Sequence, residues 1–262
     1  MMDPDPLSEV SLVVVTLNEE DRIARCIGSV PGVGEVIVVD SFSTDRTVAI
    51  AREHGARVFE RAFTSAADQK NWAIGMAERD WILLLDADES VSGELLADIR
   101  DAVRSPHADG YRLRRRSEFF GTWIRFCGWG NERVLRLFRR GAGRYPEREV
   151  HERLRLEGRA SALRGCIEHR PYRDLSDYVD RMKSYSHRGA LELHKNGRGW
   201  FPGIVTHPTA RFIRTYVFQL GMLDGTAGFM LSVLAAVSVF FKYAALRELK
   251  GNERRREAGG GA

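Results

Sequence analysis

The chain has 262 residues, of which 44% are hydrophobic and 29% are charged, as in an ordinary globular protein. This length is enough for one large α/β domain with an additional segment. The three cysteines form no metal-ligand pair, which predicts reduced thiols and argues against a disulfide-stabilised framework. Residues 1–9 are acidic and lack the basic and then apolar layout of a signal peptide, so we expect the main domain to stay in the cytoplasm.

Basic residues are concentrated towards the C-terminus. The whole chain has 40 Lys and Arg against 36 Asp and Glu, but residues 195–257 contain ten basic residues and only four acidic ones. A surface of this charge suits either nucleic acid or an anionic membrane.

Strand-like and helix-like segments alternate over about the first 100 residues. The predicted strands are residues 10–16, 35–40, 56–60 and 81–85, and helices are expected after each of them. This alternation predicts a mainly parallel sheet with helices on both faces and right-handed crossovers. In open sheets of this kind, ligands bind outside the carboxyl ends of the strands.

The sequence pattern changes after Pro106. Residues 111–116 and 133–139 alternate apolar and basic side chains, which predicts two strands with a loop rich in glycine and aromatic residues, 119–130, between them. A charged helix is expected from about 175 to 196, followed by a linker rich in glycine and proline from 197 to 208.

An apolar run ends in three carboxylates in the sequence DWILLLDADE at residues 80–89. If the segment stays extended, Asp86 and Asp88 point the same way, and crowded carboxylates are stabilised by a cation. Their hard oxygens favour Mg²⁺ or Mn²⁺, which with few protein ligands typically bridges a substrate diphosphate. The alternative is a helix start that is capped by Asp88 or Ser90.

Polar residues also follow two other predicted strands. Asn18 and Glu19 follow the first strand, and Asp40, which ends the second, can accept a hydrogen bond from a base N–H or a ribose hydroxyl. An ordinary helix cap formed by Asp40, Ser43 or Asp45 explains the same pattern equally well.

Three further residues are candidates for chemistry. Lys70 lies on a predicted helix near the same edge and can pair with phosphate, although a solvated lysine is the simpler interpretation. Glu152 is a carboxylate near apolar sequence and beside His151, which suits a general base. His169 can ligate a metal, although a single histidine is more often structural.

The order of these motifs resembles the GT-A type inverting glycosyltransferases of family 2. The motifs are VVVTLNEE, VIVVDSFSTDRT, QKNWAI, WILLLDADE, GWGNERVLRLFRR, VHE and EH, between residues 10 and about 170. The spacing of DADE and VHE, with the C-terminal KYAAL, is similar to the lipopolysaccharide core β-1,4-glucosyltransferase branch. The resemblance implies a Rossmann-like α/β fold. It also implies an enzyme that transfers a hexose, glucose or another one, from a UDP-sugar to a glycolipid.

The resemblance also implies roles for the site residues. Those assigned to the donor are Asn18, Glu19, Asp40, Lys70 and Asp86. Asp88 would hold the metal on the diphosphate, and His169 would complete the metal site. Glu152 falls at the position of the catalytic base, although VHE departs from the commoner Glu-Asp pair and leaves Glu149 as the alternative.

The last part of the chain is the most apolar. Residues 225–241 are 17 uncharged residues, which as a helix span roughly 26 Å, a marginal length for crossing a bilayer. Basic and aromatic residues flank them, so we expect a helical hairpin, broken at Asp224-Gly225, that lies in or dips into the cytoplasmic leaflet of the inner membrane. A hydrophobic surface for homo-oligomerisation is the alternative.

These observations predict a catalytic domain in residues 1–172, a helical membrane-associated region in 173–253 and a disordered tail in 254–262. The expected partners are a UDP-sugar, a glycolipid acceptor and the membrane, and not nucleic acid. A polyprenyl-phosphate sugar transferase and a non-catalytic basic scaffold at the membrane are the alternatives. A sugar-phosphate nucleotidyltransferase would need a Gly-rich basic loop after the first strand, and LNEEDRIARC lacks one.

Overall fold

β1 (Val10–Thr16) lies between two parallel neighbours, β2 (Glu35–Asp40) and β4 (Trp81–Asp86). The structure is a computed structural model that describes residues 5–130, 132–146 and 153–259. The chain divides into two units, one made of the segments 1–116 and 131–169 and the other of 117–130 and 170–262.

The sheet of the first unit has a parallel half and an antiparallel half. The remaining strands are β3 (Arg57–Glu60), β5 (Glu89–Val91), β6 (Gly110–Phe119), β8 (Arg133–Arg139) and β11 (Ala160–His169). The strand order is β3-β2-β1-β4-β8-β6-β11-β5, and the first four strands in this order are parallel. β8 then pairs antiparallel with β4 and with β6. The predicted α/β architecture is confirmed, and the antiparallel half adds β5, a strand that the sequence pattern did not indicate.

Helices cover both faces of this sheet, as predicted. They are α1 (Ile23–Gly28), α2 (Thr47–Glu53), α3 (Ala66–Gly75) and α4 (Gly93–Arg104). On one face, Leu12 and Leu83 belong to a buried cluster with Leu95 of α4, and on the other face Val13 belongs to a cluster with Ala73 of α3. Successive strand residues point to opposite faces, so strands covered on both sides are apolar throughout.

Short strands complete the description of β structure. β9 (Gly143–Arg144) pairs with β10 (Arg155–Leu156) in the first unit. In the second unit β7 (Thr122–Trp123) pairs antiparallel with the last residues of β6, through Glu118 and Trp123.

The second unit is mainly helical. It contains α5 (Leu175–Lys195), α6 (Gly203–Ile213) and α7 (Gly225–Gly259). A π-helical turn, Arg214–Phe218, and a 3-10 turn, Gly221–Asp224, join α6 to α7, so the chain reverses at the predicted break. The predicted linker 197–208 is shorter than expected because α6 begins at Gly203 and continues through Pro208, which has no backbone N–H to donate within the helix. α7 continues to Gly259, past the predicted start of the tail.

The loop at 119–130 belongs to the second unit, although the division predicted at residue 172 assigns it to the catalytic domain. The carboxylate of Asp224 accepts hydrogen bonds from the backbone N–H groups of Arg125 and Phe126, at 3.0 and 2.9 Å. Phe119, Cys127 and several helical residues form one buried apolar cluster in this unit. The loop is therefore held by both polar and apolar contacts.

Candidate active site

Two acidic residues end strands on either side of β1. Asp40 of β2 is paired in register with Thr16, and Asp86 of β4 is paired with Val15. One strand lies between them, so their Cα atoms are separated by about 10 Å, two interstrand spacings. The prediction that acids from separate strands meet at one edge of the sheet is confirmed for this pair.

Asn18 and Asp40 are linked through the turn that follows β2. The backbone N–H of Asn18 donates to the Ser43 hydroxyl at 2.8 Å, and the Asn18 carboxamide accepts from the N–H of Thr44 at 2.8 Å. Asp40 is fully buried, and its carboxylate accepts from both the backbone and the hydroxyl of Ser43. Asp40 therefore fixes the turn after β2, as expected if it caps the following segment. Through this turn it holds Ser43 and Asn18 at the carboxyl edge of the sheet. Asn18 is exposed there and has a φ of +54°.

Glu19 is anchored within the same edge. Its backbone N–H donates to the Thr47 hydroxyl at 2.8 Å, and its carboxylate forms an ion pair with Arg22 at 3.1 Å. The Glu19 and Arg22 side chains are about nine-tenths buried, at 12% and 8% exposed. The charge of Glu19 is thus compensated inside the protein, and it stabilises the loop that carries Asn18.

Asp86 lies in a buried network of charges. Lys70 reaches its Oδ1 atom at 2.7 Å, and Arg136 donates to its Oδ2 atom at 2.6 Å. Arg136 also contacts Glu89 at 3.0 Å, and Arg115 contacts Glu89 at 3.3 Å. Burial raises the pKa of the Asp86 carboxyl, but the charges of Arg136 and Lys70 outweigh it and hold that pKa well below its ordinary value. Asp86 is therefore ionised at any physiological pH.

Asp88 has a different environment from Asp86. β4 ends at Asp86 and a turn separates it from β5, so the two carboxylates do not share the extended geometry that their spacing predicted. Oδ2 of Asp88 lies 3.5 Å from Nε2 of His169, and Oδ1 is buried without a hydrogen-bond partner among the described residues. His169 reaches this place because it ends β11, in register with Glu89 of β5.

These two residues fit a divalent cation. A buried carboxylate oxygen without a partner is costly, and a cation would satisfy it. The described residues contain no cluster of three or more His, Cys, Asp or Glu side chains with metal-ligand geometry. The candidate protein ligands on the described part of the chain are therefore Asp88 and His169, a small set of the kind that Mg²⁺ accepts when substrate phosphates and water complete its shell.

The predicted base and its alternative, Glu152 and Glu149, lie outside the described residues. The described part of the chain stops at Pro146 and resumes at Arg153. Tyr145 is held close to α3, because Asn71 exchanges two hydrogen bonds with its backbone, each of 2.8 Å.

Arg136 and Ser43 are the main site residues that sequence reasoning missed. Arg136 lies in the run RVLRLFRR, whose alternation of apolar and basic residues is typical of a strand with one solvated face, yet its side chain is only 5% exposed. No local signal distinguishes it from its exposed neighbours. The sequence indicates Ser43 only as a helix cap, whereas in the structure it connects Asp40 to Asn18.

Comparisons with known proteins agree with this architecture. A family model described as Glycosyl transferase family 2 matches residues 11–153. The lipopolysaccharide core biosynthesis glycosyltransferase LpsC of Rhizobium meliloti is 30% identical over 247 residues, which cover 90% of this chain and 90% of that protein. An uncharacterised glycosyltransferase of Rickettsia typhi is 29% identical over 257 residues, covering 93% of this chain and 88% of that protein.

The fold also matches a solved structure. The crystal structure of S. aureus TarS 1–349 in complex with UDP-GlcNAc aligns with a TM-score of 0.52 at 15% identity, covering 93% of this chain and 92% of that one. The sheet, its covering helices and its acid-bearing edge define a glycosyltransferase of the GT-A type. The chain belongs to Glycosyl transferase family 2.

Proposed function

We propose that this enzyme transfers a hexose from a UDP-sugar to a membrane glycolipid, such as lipopolysaccharide core, with inversion and with Mg²⁺ or Mn²⁺ bound. The observation that carries the proposal is the buried Asp88 oxygen without a partner among the described residues, beside His169 and at the same end of β4 as Asp86. The name of the relative LpsC supports the acceptor class, and the UDP-GlcNAc in the TarS structure supports the donor class.

Asp88 and His169 would hold the cation on the donor diphosphate. When bound, such a cation offsets the negative charge that develops on the departing diphosphate. Asn18, positioned by Asp40 through Ser43, and Glu19, which stabilises the same loop, would bind the uridine. The ionised Asp86 would accept a hydrogen bond from a hydroxyl of the ribose or of the donor sugar. Lys70 would act near the donor, with its position set by Asp86.

Glu152 is our proposed general base, with Glu149 as the alternative. A carboxylate within hydrogen-bond reach of the acceptor hydroxyl removes its proton as the oxygen attacks the anomeric carbon. The new bond forms as the bond to diphosphate breaks, so one displacement inverts the configuration. Holding both substrates in this geometry supplies much of the rate enhancement.

The second unit supports attachment to a membrane. Among the described residues, one helical stretch, Gly221–Glu253, is long and apolar enough to cross a membrane by length and composition. Only 22% of its most apolar 18-residue segment is buried inside the protein. Large apolar side chains before and at the start of α7 are exposed, including Phe218 at 77% and Leu223 at 60%. We propose that this region, within residues 173–253, attaches the catalytic domain to the cytoplasmic leaflet of the inner membrane. Burial of the same surface in a homo-oligomer is the competing explanation.

Calorimetric titration of the full chain with UDP tests the metal-dependent donor site. We expect UDP to bind more tightly with Mn²⁺ than without it, and Asp88→Asn to lose this gain because the cation loses one of its proposed protein ligands. Asp101→Asn, on an exposed side chain of α4, is the matched control and should behave as the wild type. If Mn²⁺ leaves the affinity of the wild type for UDP unchanged, the proposed metal site is wrong.

A further inference from the structure

The first unit contains a cavity of about 790 Å³ on the side of β4 that faces away from β1 and β2. Its wall is formed by α3, the end of β4, β6, β8 and residues around Tyr145. Six basic side chains line it: Lys70, Arg112, Arg115, Arg133, Arg136 and Arg153. The lining carboxylates are Asp86 and Glu132.

Half of these cations are neutralised by carboxylates of the described residues. Lys70 and Arg136 contact Asp86, and Arg115 contacts Glu132 at 2.7 Å. The other three arginines, Arg112, Arg133 and Arg153, are exposed and have no ion pair with a carboxylate of the described residues. The cavity therefore concentrates uncompensated positive charge, which attracts anions.

Two further observations indicate a ligand at this cavity. The Arg136 side chain is 5% exposed, and its Nε atom is buried without a hydrogen-bond partner in the described part of the chain. In the strand pair that contributes to the cavity wall, the register of β6 and β8 places Arg114 directly opposite Arg133. Like charges directly opposite each other on paired strands are destabilising, and an anion bound beside them would relieve the repulsion.

The position of the cavity separates it from the uridine end of the sheet. In the strand order β2-β1-β4-β8-β6, Asn18 and Asp40 lie at β1 and β2, whereas most of the arginines lie on β6 and β8. Asp86, at the end of β4, lies between the two regions and lines the cavity. In a single displacement the acceptor approaches the anomeric carbon from the side opposite the diphosphate, which suits a separate pocket of this kind.

We infer that this cavity binds an anionic group of the acceptor, a phosphate or a carboxylate carried by the sugar acceptor. A guanidinium group has paired N–H donors that match the oxygens of a phosphate and of a carboxylate. Several arginines that lack a carboxylate partner among the described residues can therefore bind either anion. The inference rests on the proposed function, since it assigns the acceptor of the same transfer reaction.

The test is calorimetric titration of the full chain with inorganic phosphate, and separately with acetate, both with saturating UDP and Mg²⁺ and with Mg²⁺ alone. We expect at least one of these anions to bind while UDP is bound. Arg112→Gln and Arg133→Gln should each weaken that binding about tenfold or more and leave the affinity for UDP unchanged. Arg104→Gln, on an exposed side chain at the end of α4, is the control and should leave anion binding intact.

The outcomes separate the two proposals. Competition between UDP and phosphate would place the donor diphosphate in this cavity and overturn the inference, as would an anion affinity that neither substitution changes. Absence of binding by both anions would also overturn it. Loss of UDP binding alone would count against the proposed function, because anion binding is measured separately. Circular dichroism of each single variant establishes that it is folded.

Discussion

The ammonium group of Lys70 lies 2.7 Å from Oδ1 of Asp86, and the two side chains are 13% and 28% exposed. The sequence indicates that Lys70 either pairs with phosphate or is solvated, whereas in the structure its partner is the carboxylate at the end of β4. Arg136 donates to the other oxygen of the same carboxylate, so two cations from different elements fix Asp86. Asp86 at the end of β4 is therefore part of a network of charged side chains. The contribution of each residue to stability can be tested by single substitutions.

Arg136→Met should destabilise the protein by about 3–5 kcal/mol, because it removes one partner of a buried charge network. Glu89 is fully buried and would lose its contact with Arg136 at 3.0 Å. Urea unfolding of the full chain measures the change. Arg104→Met, on a side chain that is 63% exposed, should change stability by less than about 0.5 kcal/mol. Equal stability of the Arg136 variant and the wild type would show that this network is energetically neutral.

The stability contribution of Asp86 should depend on pH in a definite direction. Since its pKa is lower in the folded protein than in the unfolded chain, the contribution is complete above the unfolded value of about 3.9 and is lost as the pH falls towards the folded value. The difference in unfolding free energy between the wild type and Asp86→Asn should therefore shrink between pH 6 and pH 3. A difference that grows on acidification would contradict the lowered pKa.

Asp224→Ala should loosen the loop of the second unit at 119–130. The N–H groups of Arg125, which is exposed, and Phe126, which is half-buried, lose their acceptor, at a cost of about 0.5–1.5 kcal/mol for each hydrogen bond. Hydrogen exchange at these two amides should become faster. Asp180→Ala, on a side chain that is 70% exposed, is the control and should leave their exchange unchanged.

Two glycines of the first unit should respond oppositely to alanine. At Gly165 of β11, an added Cβ would lie 2.4 Å from backbone atoms of Leu95, so Gly165→Ala must push α4 from the sheet, at a cost of about 1–3 kcal/mol. At Gly93, the first residue of α4, nothing lies within 4 Å of an added Cβ. Gly93→Ala should therefore be neutral or stabilising by up to about 1 kcal/mol. Thermal unfolding of both variants checks this contrast, and equal losses would contradict it.

Phe218→Glu should weaken membrane binding without unfolding the protein, because the side chain is 77% exposed in the second unit. A charge on a surface that enters a bilayer is costly. Flotation with vesicles of anionic phospholipid measures binding, and Phe63→Glu, on a 61% exposed side chain of the first unit, is the control. If both variants float as well as the wild type, Phe218 does not contact the membrane. Loss of self-association without loss of flotation would favour the oligomer interpretation.

Much of the first unit follows from patterns along the chain. The apolar runs of β1, β2 and β4, separated by helices, require a parallel sheet covered on both faces, and parallel strands bring their carboxyl ends to one edge. For this reason the sequence alone predicts that Asp40 and Asp86 lie at the same edge of the sheet. The reversal at Asp224-Gly225 was predictable too, since a charge beside glycine interrupts an apolar helix.

The partners of individual charges were decided only by the tertiary structure. Arg136 meets Asp86 because β8 pairs antiparallel with β4, and this register brings together residues 50 positions apart. Asp224 holds the N–H groups of a loop 98 and 99 positions away. Strand and helix periodicity is local, so the sequence by itself determined the elements of the parallel half, their order and the edge where the acids collect. Whether an arginine is solvated or buried against a carboxylate depends on packing between distant segments, which no local pattern records.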